Sequence, residues 1–360
     1  MDQEELSVLA RLSKISGGNL CKTSSINSLS TDEIASCCYV QEQDHIIKLS
    51  FSVHSGDSLP EFILGLRYLR SLDLAQDEGV FPDFITRIST LKELRVVGGK
   101  PAFLDKIDEL RNLVVLNLRA MELVRLPDCV ATLRNLKSLI LKINSFEVIP
   151  KSIFELVDLQ SLSISSNRIH TVPAEIGRLK NLQTLDLSHN EITAVPPEIA
   201  ELDFLKDLRL NDNKITSLPP EICTLRNLVH LDLSNNALAS FPSKEPFEMN
   251  ALNWFDLHGN QLVDDVDFSP FTSVEYLLLG GNAFTRLPRL PSPPREAALR
   301  ILELGGNGGL KIIKAKINKI VKAYAGIQIR YTGARGFTET AISSENWEPP
   351  GWRSNENPDI

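Results

Sequence analysis

Apolar and polar positions repeat along most of this chain with a spacing close to 23 residues. The copies follow the pattern L-x-x-L-x-L-x-x-N, complete with the Asn in eight of them, as in the segment LQTLDLSHN at 182–190. The apolar residues that begin the copies stand 22 to 25 residues apart, at Ile46, Leu69, Leu91, Leu113, Leu136, Leu159, Leu182, Leu205, Leu228, Leu252, Val274 and Leu299. A period of this length indicates stacked supersecondary units. We therefore predict a solenoid of about twelve repeats over residues 46–310.

Each copy predicts a strand followed by a short helical arc. The alternation in L-x-x-L-x-L directs every second side chain inward, as in a short strand. A proline then follows an apolar residue, as in Leu218-Pro219, and suits the first turn of a helix. Ile222 and Leu225 give that arc a buried side. The predicted fold class is α/β, a horseshoe-shaped solenoid with a parallel sheet on its concave face and short helices or turns on its convex face, with a helical cap at each end.

Asparagine closes the pattern in eight of the copies. Its carboxamide both donates and accepts hydrogen bonds, and it stands at the bend where backbone groups lose their strand partners. We predict a ladder of structural amides at Asn144, Asn167, Asn190, Asn213, Asn236, Asn260, Asn282 and Asn307. The first four copies place His54, Asp77, Gly99 and Met121 there and are interpreted as diverged repeats.

The copies resemble the leucine-rich repeat family. The segment LKDLRLNDNKITSLPPEICTLRN at 205–227 is similar to the 23-residue subclass found in intracellular, Ras-suppressor-like proteins. The resemblance covers residues 46–310, nearly three-quarters of the chain. It implies a solenoid and a habit of binding other proteins, with a small GTPase or a signalling complex as the implied partner class.

Two segments flank the repeats. Residues 1–45 are predicted to form an N-terminal helical cap, with an amphipathic helix at the start and a second helix start at 28–33; an independent docking module is the alternative. In the first helix, Leu6, Leu9 and Leu12 share one side. A solenoid needs its open ends covered, which favours the cap.

Residues 311–345 are predicted to form a C-terminal cap that consists of a helix and a strand. The helix, KIIKAKINKIVKAYA at 311–325, carries five lysines and an apolar face at Ile313, Ile317, Ile320 and Tyr324. Such a basic helix is either a solvated cap or a membrane-surface or partner-groove element. The strand follows at 326–331. Residues 346–360 form an irregular tail, in which Trp347 and Trp352 fold back on the cap or form a recognition segment.

Composition narrows the functional classes. The net charge of −8 does not favour binding to nucleic acid. The start of the chain lacks a secretory signal, and no apolar run is long enough for a spanning helix. Five cysteines without C-x-x-C spacing, two of them adjacent at Cys37 and Cys38, are a poor disulfide framework. We predict a cytoplasmic, intracellular monomer, with export as an effector that acts in a host cell as an alternative.

The predicted concave face contains the candidate partner-binding residues. One column of the sheet aligns His230, Trp254 and Tyr276 as exposed rings, and exposed rings beside charges are typical of binding hot spots. The candidate charged residues around this row are Asp207, Arg209, Asp232 and Asp256. The alternative is that Asp in L-D-L is a framework feature and that Arg209 merely neutralises its neighbours.

A second, positive patch is predicted in the earlier repeats, at Arg95, Asn117, Arg119 and Lys142. Together with the later aspartates it would make the inner face bipolar, which suits orientation of a protein partner. A solvated face without function is the alternative.

No pattern in the chain favours catalysis. His230 and Asp207 resemble a base with its orienting carboxylate, but no nucleophile accompanies them. A metal at His230 and Asp232 would lack further ligands, and GGNGGLK at 305–311 does not fit a phosphate-binding loop. We predict no enzyme activity, metal or cofactor. The expected function is that of a protein–protein interaction module or adaptor in signalling, with a membrane-peripheral adaptor using helix 311–325 as the alternative.

Overall fold

The computed structural model describes residues 3–15, 20–23, 37–53, 59–76, 79–242, 247–291, 299–310, 314–324, 327–332 and 338–342. These residues divide into two compact units, the first ending at Asn167 and the second beginning at Arg168. Each unit consists of a stack of repeats. The segments at 28–33 and 346–360, for which the sequence predicts a helix start and an irregular tail, lie outside the described residues.

The first unit contains a sheet whose strands follow the repeats. Its strands are β1 Cys21–Lys22, β2 Cys38–Glu42, β3 His45–Val53, β4 Ser71–Gln76, β6 Glu93–Val97, β8 Val115–Arg119, β9 Ser138–Ile140 and β10 Ser161–Ser163. Only β2 and β3 pair antiparallel, and the other pairs are parallel. Val80–Phe81 and Lys100–Pro101, which are β5 and β7, form a separate pair.

The second unit contains the more regular strands. They are β11 Thr184–Asp186, β12 Asp207–Arg209, β13 His230–Asp232, β14 Trp254–Asp256, β15 Tyr276–Leu278, β16 Ile301–Glu303, β17 Gln328–Thr332 and β18 Thr338–Ile342. Strands β11 to β17 are parallel and in register, and β18 pairs antiparallel with β17. The predicted parallel sheet is confirmed, whereas β18 was not predicted.

From β3 to β13, each arc between the strands of successive repeats contains a 3₁₀ helix. These helices span Glu61–Gly65, Asp83–Arg87, Leu104–Glu109, Asp128–Thr132, Lys151–Glu155, Ala174–Arg178, Pro197–Glu201 and Pro220–Thr224. All but Leu104–Glu109 begin directly after a proline, whose fixed φ starts the turn. Ile222 in one arc and the framework Leu182, Leu185 and Leu187 are fully buried. The core therefore lies between the strands and the arcs.

The predicted asparagine ladder is confirmed. The Oδ1 of Asn213 accepts the backbone N–H of Ile192 at 3.0 Å, and its Nδ2 donates to the carbonyl oxygens of Leu187 and Leu210, each at 3.0 Å. The other seven asparagines bond backbone groups at the equivalent positions. Each amide thus joins the bend of its own repeat to the repeat before it.

A second, smaller set of asparagines stands immediately before the first framework leucine. Asn112, Asn135 and Asn227 each donate one hydrogen bond to a carbonyl oxygen of the preceding repeat, at 2.8, 2.9 and 2.7 Å. The repeat pattern alone did not predict this set. Its members are exposed and make a single bond each, so they stabilise the stack less than the buried ladder does.

The residue before each ladder asparagine adopts a left-handed backbone. In the later repeats this residue is Gly259, Gly281 or Gly306, which accept positive φ at low cost. Ile143 occupies the same position with a φ of 55°. A β-branched side chain is strained in that region, so the repeat that contains Ile143 carries a local energetic cost.

We expect Ile143→Asn to raise the free energy of unfolding by about 1 kcal/mol, because asparagine tolerates a left-handed backbone and the lost side chain is 45% exposed. Urea denaturation of the two proteins measures the difference. Val148→Asn is the matched control, because Val148 is also exposed but has no positive φ. A destabilised Ile143→Asn variant would contradict the expectation.

The N-terminal helix α1 spans Gln3–Ile15 and packs against the 3₁₀ helix Glu61–Gly65. Leu9 and Leu12 are buried as predicted, but Leu6 is 49% exposed. The prediction that Leu6 shares the buried side was therefore wrong, and Val8 and the buried Glu5 take that place. The Oε1 of Glu5 accepts the backbone N–H of Ile46 at 3.2 Å, at the start of the repeats. The assignment of 1–45 as a cap stays a prediction.

The C-terminal helix α2 spans Lys314–Ala323. Ile320 and Tyr324 are buried, and the Tyr324 hydroxyl donates to the carbonyl oxygen of Pro291. Lys319 and Lys322 are exposed, as expected for the polar sides of an amphipathic helix. Ile313 and the side chain of Ile317 lie outside the described residues. None of the helices in the described part of the chain is long and apolar enough to cross a membrane.

The structure joins Cys21 to Cys38 in a disulfide between β1 and β2. The expectation that the cysteines are poorly arranged for a disulfide is therefore wrong for this pair. The adjacent Cys37 is a free, buried thiol, so it does not compete with Cys38 for Cys21. Burial raises the pKa of Cys37 to about 12, which makes that thiol unreactive. The intracellular location stays a prediction.

Candidate functional site

The framework leucines of the second unit point into its core, so the residues between them face the other side of the sheet. We name this side the open face of the second unit; it is the face that the sequence predicts as concave. Two columns of side chains run across it in register. The first column contains Thr184, Asp207, His230, Trp254, Tyr276 and Ile301, and the second contains Asp186, Arg209, Asp232, Asp256, Leu278 and Glu303.

Three rings of the first column stack in one row. The ring centroids of His230 and Trp254 lie 5.9 Å apart, and those of Trp254 and Tyr276 lie 4.8 Å apart, with interplanar angles of 24° and 25°. His230 and Trp254 are half-buried, whereas Tyr276 is only 8% exposed. The expectation of three exposed rings is therefore wrong for Tyr276, which Trp254 covers on one side. We name His230, Trp254 and Tyr276 the ring row.

Asp207 holds one end of the ring row. Its Oδ1 lies 3.0 Å from Nδ1 of His230, and its Oδ2 accepts a hydrogen bond from Nη2 of Arg209 at 2.9 Å. Burial alone would raise the pKa of Asp207, but the hydrogen bond with His230 and the charge of Arg209 lower it overall. Arg209 thus compensates Asp207 on its own strand, and Asp207 fixes the orientation of the His230 ring.

The aspartates of the second column help to close the bends. Oδ1 of Asp232 accepts the backbone N–H of Ser234 at 3.0 Å and its hydroxyl at 2.7 Å. Asp186 bonds Ser188 in the same way. Oδ1 of Asp256 accepts the backbone N–H of His258 at 2.9 Å. The structure therefore supports a framework role for one oxygen of each carboxylate, as the alternative interpretation of L-D-L proposes.

Glu303 also belongs to this column, although it was not among the residues predicted to bind a partner. Its Oε1 accepts the backbone N–H of Gly305 at 2.7 Å, and its Oε2 lies 3.6 Å from Nδ1 of His258. A Cβ at Gly280 would collide with the Glu303 carboxylate, so the glycine provides the space that the carboxylate occupies. The sequence contains a signal for this contact. Glu303 occupies the second-column position of its strand, and in the preceding repeat Gly280 follows two residues after the column residue Leu278.

Asp256 has the most perturbed carboxyl group on the open face. Burial raises its pKa to about 7, and the nearby charges of Asp232 and Glu303 act in the same direction. The hydrogen bond from His258 opposes the shift. Near neutral pH this group is therefore divided between its protonated and ionised forms.

The predicted positive patch lies in the first unit, and its charge is largely compensated at Arg95. Nη1 of Arg95 lies 2.7 Å from Oε2 of Glu93 and 3.4 Å from Oδ1 of Asp73, and Lys48 also approaches Asp73. Burial raises the pKa of Asp73 in spite of both cations. Neither Glu93 nor Asp73 was predicted from the sequence to belong to this patch. Asn117 is in register with Arg95, and Arg119 and Lys142 are half-buried in the following repeats.

The open face offers little chemistry beyond binding. The His230–Asp207 pair has the geometry of a base and its orienter, but its neighbours in register are Thr184 and Trp254. Cys223 lies in an arc, where burial raises the pKa of its thiol to about 11. Within the described ranges, no three His, Cys, Asp or Glu side chains are grouped so as to hold a metal ion.

Family models match the middle of the chain. Residues 134–192 match a model described as leucine rich repeat, and residues 175–260 match a model described as leucine-rich repeat region. No curated protein sequence matches the chain.

Solved structures with the same architecture come from proteins of different functions. The ectodomain of the receptor kinase GASSHO1/SCHENGEN3 from Arabidopsis thaliana, in complex with CASPARIAN STRIP INTEGRITY FACTOR 2, is 24% identical with a TM-score of 0.58, and the match covers 74% of this chain and 34% of that one. The Arabidopsis receptor kinase HAESA, in complex with the peptide hormone IDA and the co-receptor SERK1, is 22% identical with a TM-score of 0.56, covering 74% and 51%.

A plant ice-binding protein is 22% identical with a TM-score of 0.54, and the match covers 73% of this chain and 88% of that one. The chain therefore spans at most about half of the two receptor chains. At these identities the likeness extends to the fold alone. Together with the repeat pattern, the amide ladder and the parallel strands, these matches show that the chain carries leucine-rich repeats folded as a leucine-rich repeat solenoid.

Proposed function

We propose that this protein is a non-catalytic interaction module that binds a protein partner on the open face of the second unit. The observation that carries the proposal is the ring row. Stacking holds His230, Trp254 and Tyr276 in place before a partner arrives, so little side-chain entropy is lost on binding. Aromatic side chains that are fixed in this way are typical of binding hot spots.

The charges around the ring row support the same proposal. Asp207 and Arg209 form a compensated pair at one end, whereas Asp232, Asp256 and Glu303 lie beside and beyond Trp254. An uneven charge distribution of this kind orients a partner during its approach. Aromatic burial would then supply most of the affinity, and the carboxylates would set the direction of docking.

Comparison with other solenoids supports a protein or peptide partner without naming one. Of the two receptor kinases above, one is in complex with CASPARIAN STRIP INTEGRITY FACTOR 2 and the other with a peptide hormone and a co-receptor, while the third structure is an ice-binding protein. Function therefore follows from the side chains of the open face and not from the fold. We propose, as the finer assignment, an intracellular, monomeric adaptor of the Ras-suppressor-like subclass, with a small GTPase or signalling complex as partner.

The membrane-peripheral alternative rests on α2, where Lys319 and Lys322 are exposed. The described part of its apolar face, at Ile320 and Tyr324, is already buried against the protein. A helix that binds a lipid surface needs that face free for insertion. These contacts favour a cap with solvated lysines over a membrane-binding element.

We expect Trp254→Ala to weaken capture of the partner from the native source at least tenfold, because truncation of a central aromatic hot spot costs about 2 kcal/mol or more. Quantitative affinity capture with the full chain, followed by mass spectrometry, measures the loss. Phe204→Ala is the matched control, because Phe204 is an aromatic residue that is 56% exposed in the turn before β12, outside the open face.

Thermal unfolding of both variants establishes that they remain folded. The proposal is contradicted if the proteins captured by the wild type are captured equally by Trp254→Ala. Loss of capture in Phe204→Ala alone would instead place the binding surface at the turns that precede the strands.

A further inference from the structure

We infer that the disulfide between Cys21 and Cys38 makes the attachment of β1 redox-sensitive: a dithiol reductant releases β1 from the sheet and leaves the rest of the first unit folded. This inference does not depend on the partner proposed for the open face. Three observations carry it: β1 has few other contacts in the described part of the chain, one of the two cysteines is exposed, and the neighbouring elements have anchors of their own.

The strand β1 depends on the disulfide because its other contacts are weak. Its two residues, Cys21 and Lys22, are exposed, and Leu20 directly before them is only half-buried. The backbone N–H groups of Cys21 and Thr23 donate to carbonyl oxygens in and next to β2, at 2.9 and 3.1 Å. Nζ of Lys22 donates to Oε1 of Gln41 at 2.8 Å on the exposed surface. These few hydrogen bonds do not offset the entropy lost in ordering an exposed strand of two residues, so the disulfide keeps β1 in place.

A reductant reaches the disulfide from the side of Cys21. This residue is exposed, whereas Cys38 is buried, so an incoming thiolate attacks the Cys21 sulfur. The S–S bond breaks, and the Cys38 sulfur leaves with the bonding electron pair and takes up a proton. The second thiol of the reductant then displaces the Cys21 thiol from the mixed disulfide. The dithiol is thereby oxidised to its own disulfide, and the protein gains the two electrons and two protons that it loses.

The thiol of Cys37 does not replace Cys38 in this reaction. Cys37 is buried, and burial raises its pKa to about 12, so it is protonated near neutral pH and does not attack a disulfide. Reoxidation therefore restores the bond between Cys21 and Cys38, and the attachment of β1 is reversible.

The elements on either side of β1 are held by contacts that do not involve the disulfide. In α1, the side chains of Val8, Leu9 and Leu12 are buried. Oε1 of Glu5 accepts the backbone N–H of Ile46, which ties α1 to the first repeat. The strand β2 pairs antiparallel with β3 along its whole length. Reduction is therefore a local opening at the edge of the sheet, and local openings of this kind cost less than global unfolding.

The edge of β2 is covered in the oxidised protein and open in the reduced one. The carbonyl oxygens of Cys37 and Tyr39, which accept hydrogen bonds from β1, lose these donors when β1 leaves. Disulfides of reducing compartments are mostly transient, redox-sensing bonds. In the intracellular location proposed above, the bond would therefore form only under oxidation, and the state of this edge would follow the redox state of the compartment.

Tryptic cleavage after Lys22 measures the release of β1, because no other Lys or Arg lies between Lys14 and Lys48. The full chain is digested briefly, without denaturant, before and after reduction by dithiothreitol. We expect this cleavage to become roughly tenfold faster or more on reduction, since a protease cuts the strand only when it is released. Cys21→Ser, which cannot form the bond, should be cleaved at the fast rate without reductant. Cys129→Ser is the matched control, because Cys129 is a free cysteine, and it should behave as the wild type does.

Labelling with N-ethylmaleimide, after the reductant is removed, distinguishes local opening from unfolding. Cys21 and Cys38 should be labelled in the reduced protein, whereas the buried Cys37 and Cys223 should stay unlabelled. The inference is overturned if the bond resists dithiothreitol in the absence of denaturant, or if its reduction leaves cleavage after Lys22 unchanged. Labelling of Cys37 together with Cys38 would overturn it as well, because the disulfide would then hold the whole first unit together.

Discussion

Asn213→Ala is expected to lower the free energy of unfolding by about 3 kcal/mol, the largest loss that we predict for a single side chain. The amide of Asn213 accepts a hydrogen bond from the backbone N–H of Ile192 and donates to the carbonyl oxygens of Leu187 and Leu210, and the residue is buried. Each buried backbone group that loses its partner costs about 1–3 kcal/mol, and relaxation of the bend recovers part of the sum.

Urea denaturation followed by circular dichroism measures this loss. Asn227→Ala is the matched control, because Asn227 also bonds the backbone of the preceding repeat but through one exposed hydrogen bond to Asp203. We expect its effect to stay below about 1 kcal/mol. Equal losses in the two variants would show that the stabilisation comes from asparagine in general and not from the buried, multiply bonded ladder.

Asp256→Asn is expected to stabilise the protein by on the order of 2 kcal/mol at pH 8. The pKa of this carboxyl is raised to about 7 in the folded chain, against about 3.9 when unfolded. As the pH rises from 4 to 7, the unfolded chain releases a proton that the folded chain retains, so stability falls over this window. Asparagine removes that penalty and keeps the oxygen that accepts the His258 N–H. The full shift would correspond to about 4 kcal/mol, which solvent around the half-buried group reduces.

Denaturation at pH 4, 6 and 8 measures the difference between Asp256→Asn and the wild type, which should be small at pH 4 and greatest at pH 8. Asp264→Asn provides a control of opposite sign. Hydrogen bonds from Thr285 and Arg286 hold the pKa of Asp264 well below its usual range, so its replacement should destabilise the protein at neutral pH. A pH-independent effect of Asp256→Asn would refute the assigned ionisation.

The fold could be predicted because the repeat pattern overdetermines it. In each repeat, the framework leucines predict the strand, the proline predicts the start of the arc, and the asparagine predicts the bend. A repeat that departs from the pattern is therefore still assigned correctly from its neighbours. The flanking segments have no such redundancy. Leu6 matches the helical period as well as Leu9 does, yet it is exposed, because only the partner surface decides which side of a lone amphipathic helix is covered.

The sequence predicted which residues of the open face align on neighbouring strands, but it did not predict the contacts between their side chains. Strand alignment placed His230, Trp254 and Tyr276 in one row, as the structure confirms. The burial of Tyr276 and the reach of Glu303 across Gly280 depend on rotamers, which the sequence pattern does not specify. The disulfide between Cys21 and Cys38 depends on strands outside the repeats, where the sequence offered no register from which to judge the distance.

The buried amides lie at the bends, whereas the ring row lies on the strands and takes no part in the amide ladder. The stability that the ladder provides and the chemistry of the ring row therefore depend on different positions of each repeat. Side chains at the strand positions that face outward can therefore be substituted one at a time, while the spacing between strands stays constant. A scaffold of this kind can acquire new ligands by point mutation. Insertion of one residue within a strand would instead move every following side chain of that strand to the opposite face of the sheet.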